Sequence, residues 1–370
     1  MFSIEFNRRQ IVLWGIAVIC VAALLPSSAA RAQFSMGVRS TGAPAADAGS
    51  DGPPQLSGDA ASTPTAWGYH ILPANTEAGK HAPLNGPFEQ ARSGAAIKVK
   101  AAAGLAKPGF FPADLSNFGG QTVPSKSSED IYYNCPSNDE SCWGDPQGFL
   151  SNLSASKFIH VTDQYTGLKS NNRYPLSSTF VFITNGPTFL SASDVQNEVH
   201  QAAQLPQVGP GHIFHLFLPQ GVDTCMDQGN TSCYSPDQPS TFTFCAYHAA
   251  VTFGDTGTLL YTVEGFQDVG GCVLSPPPVG YPNGELADST NSTLSHELFE
   301  TITDPYGGLG QPAWIGNSSA REDGQEIGDE CQGAFDNIGE VVPAYILVRG
   351  RTYQTQLEYS NSRHGCVVAP

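Results

Sequence analysis

The 370-residue chain is poor in charge, and poorest in positive charge: 14% of its residues are charged, and 17 Lys and Arg stand against 34 Asp and Glu, for a formal charge of −17. So few cations cannot build the basic face that displaces counterions from phosphates, so nucleic-acid binding is excluded as its main task. No G-x-S-x-G elbow, Walker loop or G-x-G-x-x-G fingerprint occurs, so the serine-hydrolase, nucleotide and dinucleotide classes find no support. No pair of cysteines has C-x-x-C spacing, which argues against a thiolate metal site. Beyond the N-terminus, no apolar run approaches the roughly 20 residues that a spanning helix needs.

Glycine (39) and proline (28) are abundant, and hydrophobic residues make up 40%, enough for a folded but loop-rich protein. Arg8 and Arg9 precede the apolar run from Ile11 to Leu25, and Ala30-Arg31-Ala32 follows. A basic start, a short apolar stretch and a small-residue site describe a secretory signal peptide over 1–32, with no membrane anchor left after cleavage. Eight cysteines then remain, an even number in an exported chain, which predicts four disulfides. Eight cysteines admit on the order of 100 pairings. The short loops favour Cys135 with Cys142 and Cys225 with Cys233, leaving Cys245 with Cys272 and Cys331 with Cys366.

Residues 33–125 are dominated by Ala, Gly, Pro and Ser and have weak apolar periodicity. They read as a low-complexity, flexible linker, with pieces such as Trp67-Gly68-Tyr69-His70 docking onto the rest. Residues 126–370 read as one α/β (α+β) domain with a central mixed sheet. Strands are predicted at Phe180–Thr184, His212–Leu218, Phe242–Phe253, Leu259–Val263, Ala344–Val348 and Tyr353–Tyr359. A helix capped by Ser191 or Ser193 is expected to run to about Gln204, with Ser193 and Gln196 spaced as a capping box. A second helix, the active-site helix, is expected over Ser292–Thr303.

That second helix carries His296-Glu297-x-x-Glu300. At about 100° per residue, Glu300 falls about 40° from His296 and Glu297 about 100°, while Leu294 and Leu298 face the other way. His296 and Glu300 thus point together, as in H-E-x-x-H zinc helices, with a carboxylate replacing the second imidazole. Glu297 would be the general base for the attacking water. Asp304-Pro305 ends the helix with another acid, and Glu326 lies 26 residues after Glu300 in an acidic cluster with Asp329 beside Cys331. Glu326 is therefore the expected third ligand, with Asp304 and Asp329 as alternates. His248 could line the same cleft and polarise a carbonyl, or be a hydrogen-bonded core histidine. His212 and His215 read as structural, and His200 as a surface residue.

The ordered run His296-Glu297-Leu298, Glu300, Asp304-Pro305, Ala313-Trp314, Glu326-Ile327-Gly328-Asp329 and Cys331 resembles the phosphate-induced, EXORDIUM-like family of secreted proteins. Phe244-Cys245-Ala246-Tyr247-His248 and Gly271-Cys272 resemble that family's upstream segments, so the likeness covers roughly 130–335. Plant members usually carry Asn-Pro where this chain has Asp304-Pro305, and Gly where it has Ala246. The resemblance implies an extracellular or cell-wall location and a role in growth responses, without a defined reaction.

Together these readings predict a secreted (extracellular or periplasmic) zinc-dependent hydrolase, peptidase-like, acting on a peptide or cell-wall-type substrate. The rival expectation is a non-enzymatic extracellular protein whose acids bind calcium, with oxygens drawn from 322–330.

Overall fold

The computed structural model describes residues 35–40, 63–86, 114–136, 139–168, 173–274, 280–316, 325–332, 344–348 and 350–370. The expected signal peptide and much of the expected linker lie outside these. No described helix is long and apolar enough to cross a membrane.

Eight strands form the main sheet: β1 (Ser35–Ser40), β2 (Ala66–Pro73), β3 (Asn85–Gly86), β4 (Ser127–Tyr133), β5 (Leu176–Thr184), β6 (His212–Phe217), β7 (Phe244–Phe253) and β8 (Gly257–Glu264). Their spatial order is β1-β5-β4-β6-β8-β7-β2-β3. The run β5-β4-β6-β8 is parallel, and every other neighbouring pair is antiparallel. Parallel neighbours need crossovers, which place helices on the faces. Helices α1 (Pro146–Leu153) and α3 (Glu285–Thr303) cover one face, and α2 (Ala192–Gln204) covers the other. The mixed α/β class and the central mixed sheet are as expected.

The start of the domain is not as expected. Strands β1, β2 and β3, all ahead of residue 126, belong to the main sheet. β1 pairs with β5, and β2 lies between β7 and β3. The composition of 33–125 averages over the run Ala66–Pro73, whose aromatic and branched residues alternate well enough to fill a sheet position. From His70 onward that strand is buried on both faces.

Local signals succeeded where a single residue decides the geometry. Ser191 caps α2 and forms a capping box with Asp194, two residues earlier than the Ser193–Gln196 alternative. All four disulfides have the expected partners: Cys135–Cys142, Cys225–Cys233, Cys245–Cys272 and Cys331–Cys366. Such a set marks an oxidising compartment. The C-terminal strand divides into Arg351–Thr355 and Glu358–Ser360, and the break falls at Gln356-Leu357. His200 is buried, not on the surface: its ring stacks on Phe253 and its Nε2 lies 2.9 Å from Asp255 Oδ1.

Candidate metal centre

α3 begins at Glu285, seven residues before the expected start. Asp288-Ser289-Thr290-Asn291-Ser292-Thr293 has no apolar period and residue types that compete with helical hydrogen bonds, so sequence places it outside a helix. Burial overrides that preference: every residue from Ala287 to Thr303 is buried. Asp288 accepts from the backbone N–H groups of Asn283 and Gln354, fixing the entry of the helix. Thr293 and Thr301 turn their hydroxyls back onto the Ser289 and Glu297 carbonyls, and Thr293 also lies 3.0 Å from Gln267 Oε1.

β2 and β7 supply what α3 faces. His70 and His248 are direct cross-strand partners, so they leave the sheet on the same side, with ring centroids 5.6 Å apart. Ala246 and Ala250 flank His248 on that side and leave room for the helix. Glu326 and Asp329 arrive on a short turn tied to the C-terminal tail by Cys331–Cys366 and by the Tyr359 N–H on the Ile327 carbonyl. Gly328 is required there, because a Cβ would come within 2.3 Å of His296 Nδ1.

The result is a closed alternation of three imidazoles and three carboxylates. Glu300 spans His296 (Oε1 to Nε2, 3.0 Å) and His248 (Oε2 to Nδ1, 3.5 Å). Glu326 spans His70 (Oε1 to Nδ1, 3.2 Å) and His248 (Oε2 to Nε2, 3.6 Å). Asp329 spans His70 (Oδ2 to Nε2, 2.7 Å) and His296 (Oδ1 to Nε2, 3.8 Å). These separations bracket the roughly 3.3 Å expected between donors about 2 Å from a shared tetrahedral centre. Two compact donor sets can be drawn from the ring: His70 with Glu300 and Asp329, and His248 with Glu300 and Glu326. A third grouping, Cys135 with Asp139 and Cys142, offers no thiolate because those cysteines form a disulfide.

The other site residues surround the ring. Glu297 Oε2 lies 3.4 Å from His248 Nδ1, and neither Glu297 oxygen has a hydrogen-bond partner. Asp304 accepts from the Ala313 N–H at 2.5 Å, at the end of α3 and outside both donor sets. His296 is in the ring but in neither donor set. The Gln356 amide nitrogen is 2.8 Å from its Nδ1 and 3.2 Å from the Gly328 carbonyl, so the amide donates to Nδ1. His296 Nε2 faces Glu300 Oε1 at 3.0 Å. His70 Nδ1 lies 2.9 Å from Asn85 Oδ1 and donates to it, while its Nε2 lies 2.7 Å from the Asp329 carboxylate.

All the carboxylates of the ring, with Glu297 and Asp304, are at most 1% exposed, and none pairs with a Lys or Arg among the described residues. Burial and the nearby Asp304 and Glu300 charges hold the Glu326 carboxyl well above the usual range. Burial, Glu300 and Glu264 do the same to Glu297, and burial raises Asp304 to about 7. For Glu300, burial is outweighed by His296, His248 and His70, which hold it well below the usual range. Burial lowers His70, but Asp329 and Glu300 outweigh it and raise the ring to about 9. Burial lowers His248, only partly offset by Glu300, so it stays a neutral imidazole with a lone pair to give. Several buried acids facing one another without a fixed cation cost several kcal/mol each in desolvation. Unpartnered atoms of His248, Glu300, Glu326 and Asp329 all point into the ring, and a divalent cation fits that donor set.

Comparison with protein-family models, curated proteins and solved structures finds no match to the chain. The site therefore has to be read from its own geometry. That geometry gathers every residue the sequence singled out as a ligand or base, and adds His70, Asn85 and Gln356. His70 gave one weak sign, its place in the aromatic segment Trp67–His70. Asn85 and Gln356 gave none, because an isolated amide carries no spacing pattern.

Proposed function

We propose that the protein is an exported metal-dependent hydrolase with peptidase-like chemistry, acting on peptide or cell-wall-type substrates outside the cytoplasm. The observation that carries this reading is Glu297: a buried carboxylate beside the donor ring, in neither donor set, with both oxygens free of hydrogen bonds. A bound ion would supply polarisation of a carbonyl oxygen and acidification of water. Glu297, buried beside the ring with both oxygens free of hydrogen bonds, is placed to take the proton from the attacking water and return it to the leaving group. Imidazole in both donor sets favours zinc or another transition ion over calcium, which wants six or more oxygens. The disulfides and the resemblance to EXORDIUM-like proteins support the extracellular part of the proposal.

A second reading is a non-enzymatic extracellular protein with a structural ion. It is favoured by the burial of the ring, whose most exposed member, His248, is 3% exposed. One experiment separates the two. Glu297→Gln should keep its metal and its melting temperature, while peptide hydrolysis falls by on the order of 10² or more. A parent protein that binds metal yet hydrolyses no peptide or wall polymer would leave the structural reading standing.

A further inference from the structure

We infer that the centre takes two divalent metal ions bridged by Glu300, one held by His70, Glu300 and Asp329 and the other by His248, Glu300 and Glu326. This rests on the metal-centre reading above and extends it from one ion to two. Glu300 is the residue common to both donor sets. Its two oxygens diverge: Oε1 accepts from the Asp329 N–H at 3.3 Å and faces His296, while Oε2 faces His248 at 3.5 Å without a hydrogen bond. Oε2 thus faces a member of the second set, while Oε1 is held by the backbone of Asp329, a member of the first, and diverging oxygens are what a bridge needs.

The imidazoles agree with this division. His70 and His248 are cross-strand partners with nearly parallel rings at 22°, so each set receives its nitrogen from a different strand of one rigid sheet. Asn85 holds His70 Nδ1, which leaves Nε2 for the first set. His248 Nδ1 has no hydrogen-bond partner and is available to the second.

Charge balance points the same way. Glu297, Glu300, Asp304, Glu326 and Asp329 crowd a space whose described surroundings give them only imidazoles as counter-charges. One divalent ion on the first set leaves both Glu326 oxygens and the free His248 nitrogen unserved. A second ion uses them. Bridged pairs of this kind, with ions about 3.5–4 Å apart, can hold the attacking and leaving oxygens of a displacement together.

The test uses the full chain, stripped of metal and titrated with Mn²⁺, with bound ions counted by elemental analysis and their coupling read by electron paramagnetic resonance. Two ions per chain are expected, with an exchange-coupled spectrum in place of the six-line pattern of isolated Mn²⁺. His70→Ala and His248→Ala should each keep one uncoupled ion, and Glu300→Gln should lose the coupling altogether, with circular dichroism checking that each variant is folded. The parent alone decides the matter if the variants do not fold. A single uncoupled ion in the parent would overturn the bridged pair and leave the one-ion reading intact. No bound ion would overturn both.

Discussion

The two faces of the central sheet are built from the same strands, and both pack apolar cores, but a row of buried polar side chains crosses only one of them. Toward α2, the strands present Tyr69, Ile71, Ile131, Val181, Phe214, Leu216, Tyr247 and Val263, a continuous apolar layer. Toward α3, the intervening positions present His70, His248, Thr262, His215 and Asp130, and this row crosses five strands in register. Both layers are buried. Alternation along a strand normally separates core from solvent. Here it separates an apolar layer from a face where a row of polar donors runs between apolar neighbours such as Ile213, Phe217 and Leu260. The first needs only volume and area, whereas the second needs partners for every charge.

That contrast can be broken most severely at the N-terminal strands. A chain starting at Ser125 lacks β1, β2 and β3, and with them His70 and one of the two antiparallel partners of β7. It should fail to give a cooperative melt and should bind no metal. A soluble, cooperatively melting fragment would show that β2 is an accessory to the sheet.

The two faces can next be compared by one substitution on each. Leu216→Ala on the α2 side should cost about 2–5 kcal/mol through lost burial and a cavity. His70→Ala on the α3 side should cost about 3–5 kcal/mol by taking from Asp329 and Glu326 the nearer of their two imidazoles. Urea unfolding with and without a chelator distinguishes the causes. The Leu216→Ala cost should not change, and the His70→Ala cost should shrink when metal is withheld from both proteins. Equal behaviour of the two variants would remove the distinction between the faces.

A smaller effect is expected at Glu198 on α2, a buried carboxyl whose Oε2 has no hydrogen bond. Burial, then Asp194, raises it from an ordinary 4.5 to about 8. The folded state therefore holds a proton that the unfolded state has lost, and stability falls as pH rises through the window between those values. Glu198→Gln should flatten that fall and gain on the order of 1–2 kcal/mol at pH 8, with little change at pH 4. Denaturant unfolding across this range checks it, and an unchanged slope would mean that the carboxyl is satisfied.

The sequence was most legible where chemistry and spacing coincide. His296, Glu297 and Glu300 follow from one helical turn, and two cysteine pairs follow from short loops, which leaves the other two. His248 could be suspected but not assigned, because its role depends on the residue opposite it in β2. His70 sits in a stretch whose composition suggests a linker, and only pairing with β7 gives it a place. The early start of α3 was hidden for a related reason: a run of Ser, Thr and Asn becomes helical only when tertiary contacts bury it. Gln356 matters because a strand breaks there, and nothing in the sequence marks the break.

The central claim is that the buried imidazole and carboxylate ring is held by metal. The most direct test is calorimetric melting of the full chain at neutral pH, before and after dialysis against EDTA, and again after Zn²⁺ is restored. Metal that binds only the folded state adds its binding free energy to stability, so the chelated protein should melt lower by about 10 °C or more and recover with zinc. A melting temperature unchanged by EDTA, in protein that contains no bound metal as purified, would contradict the account.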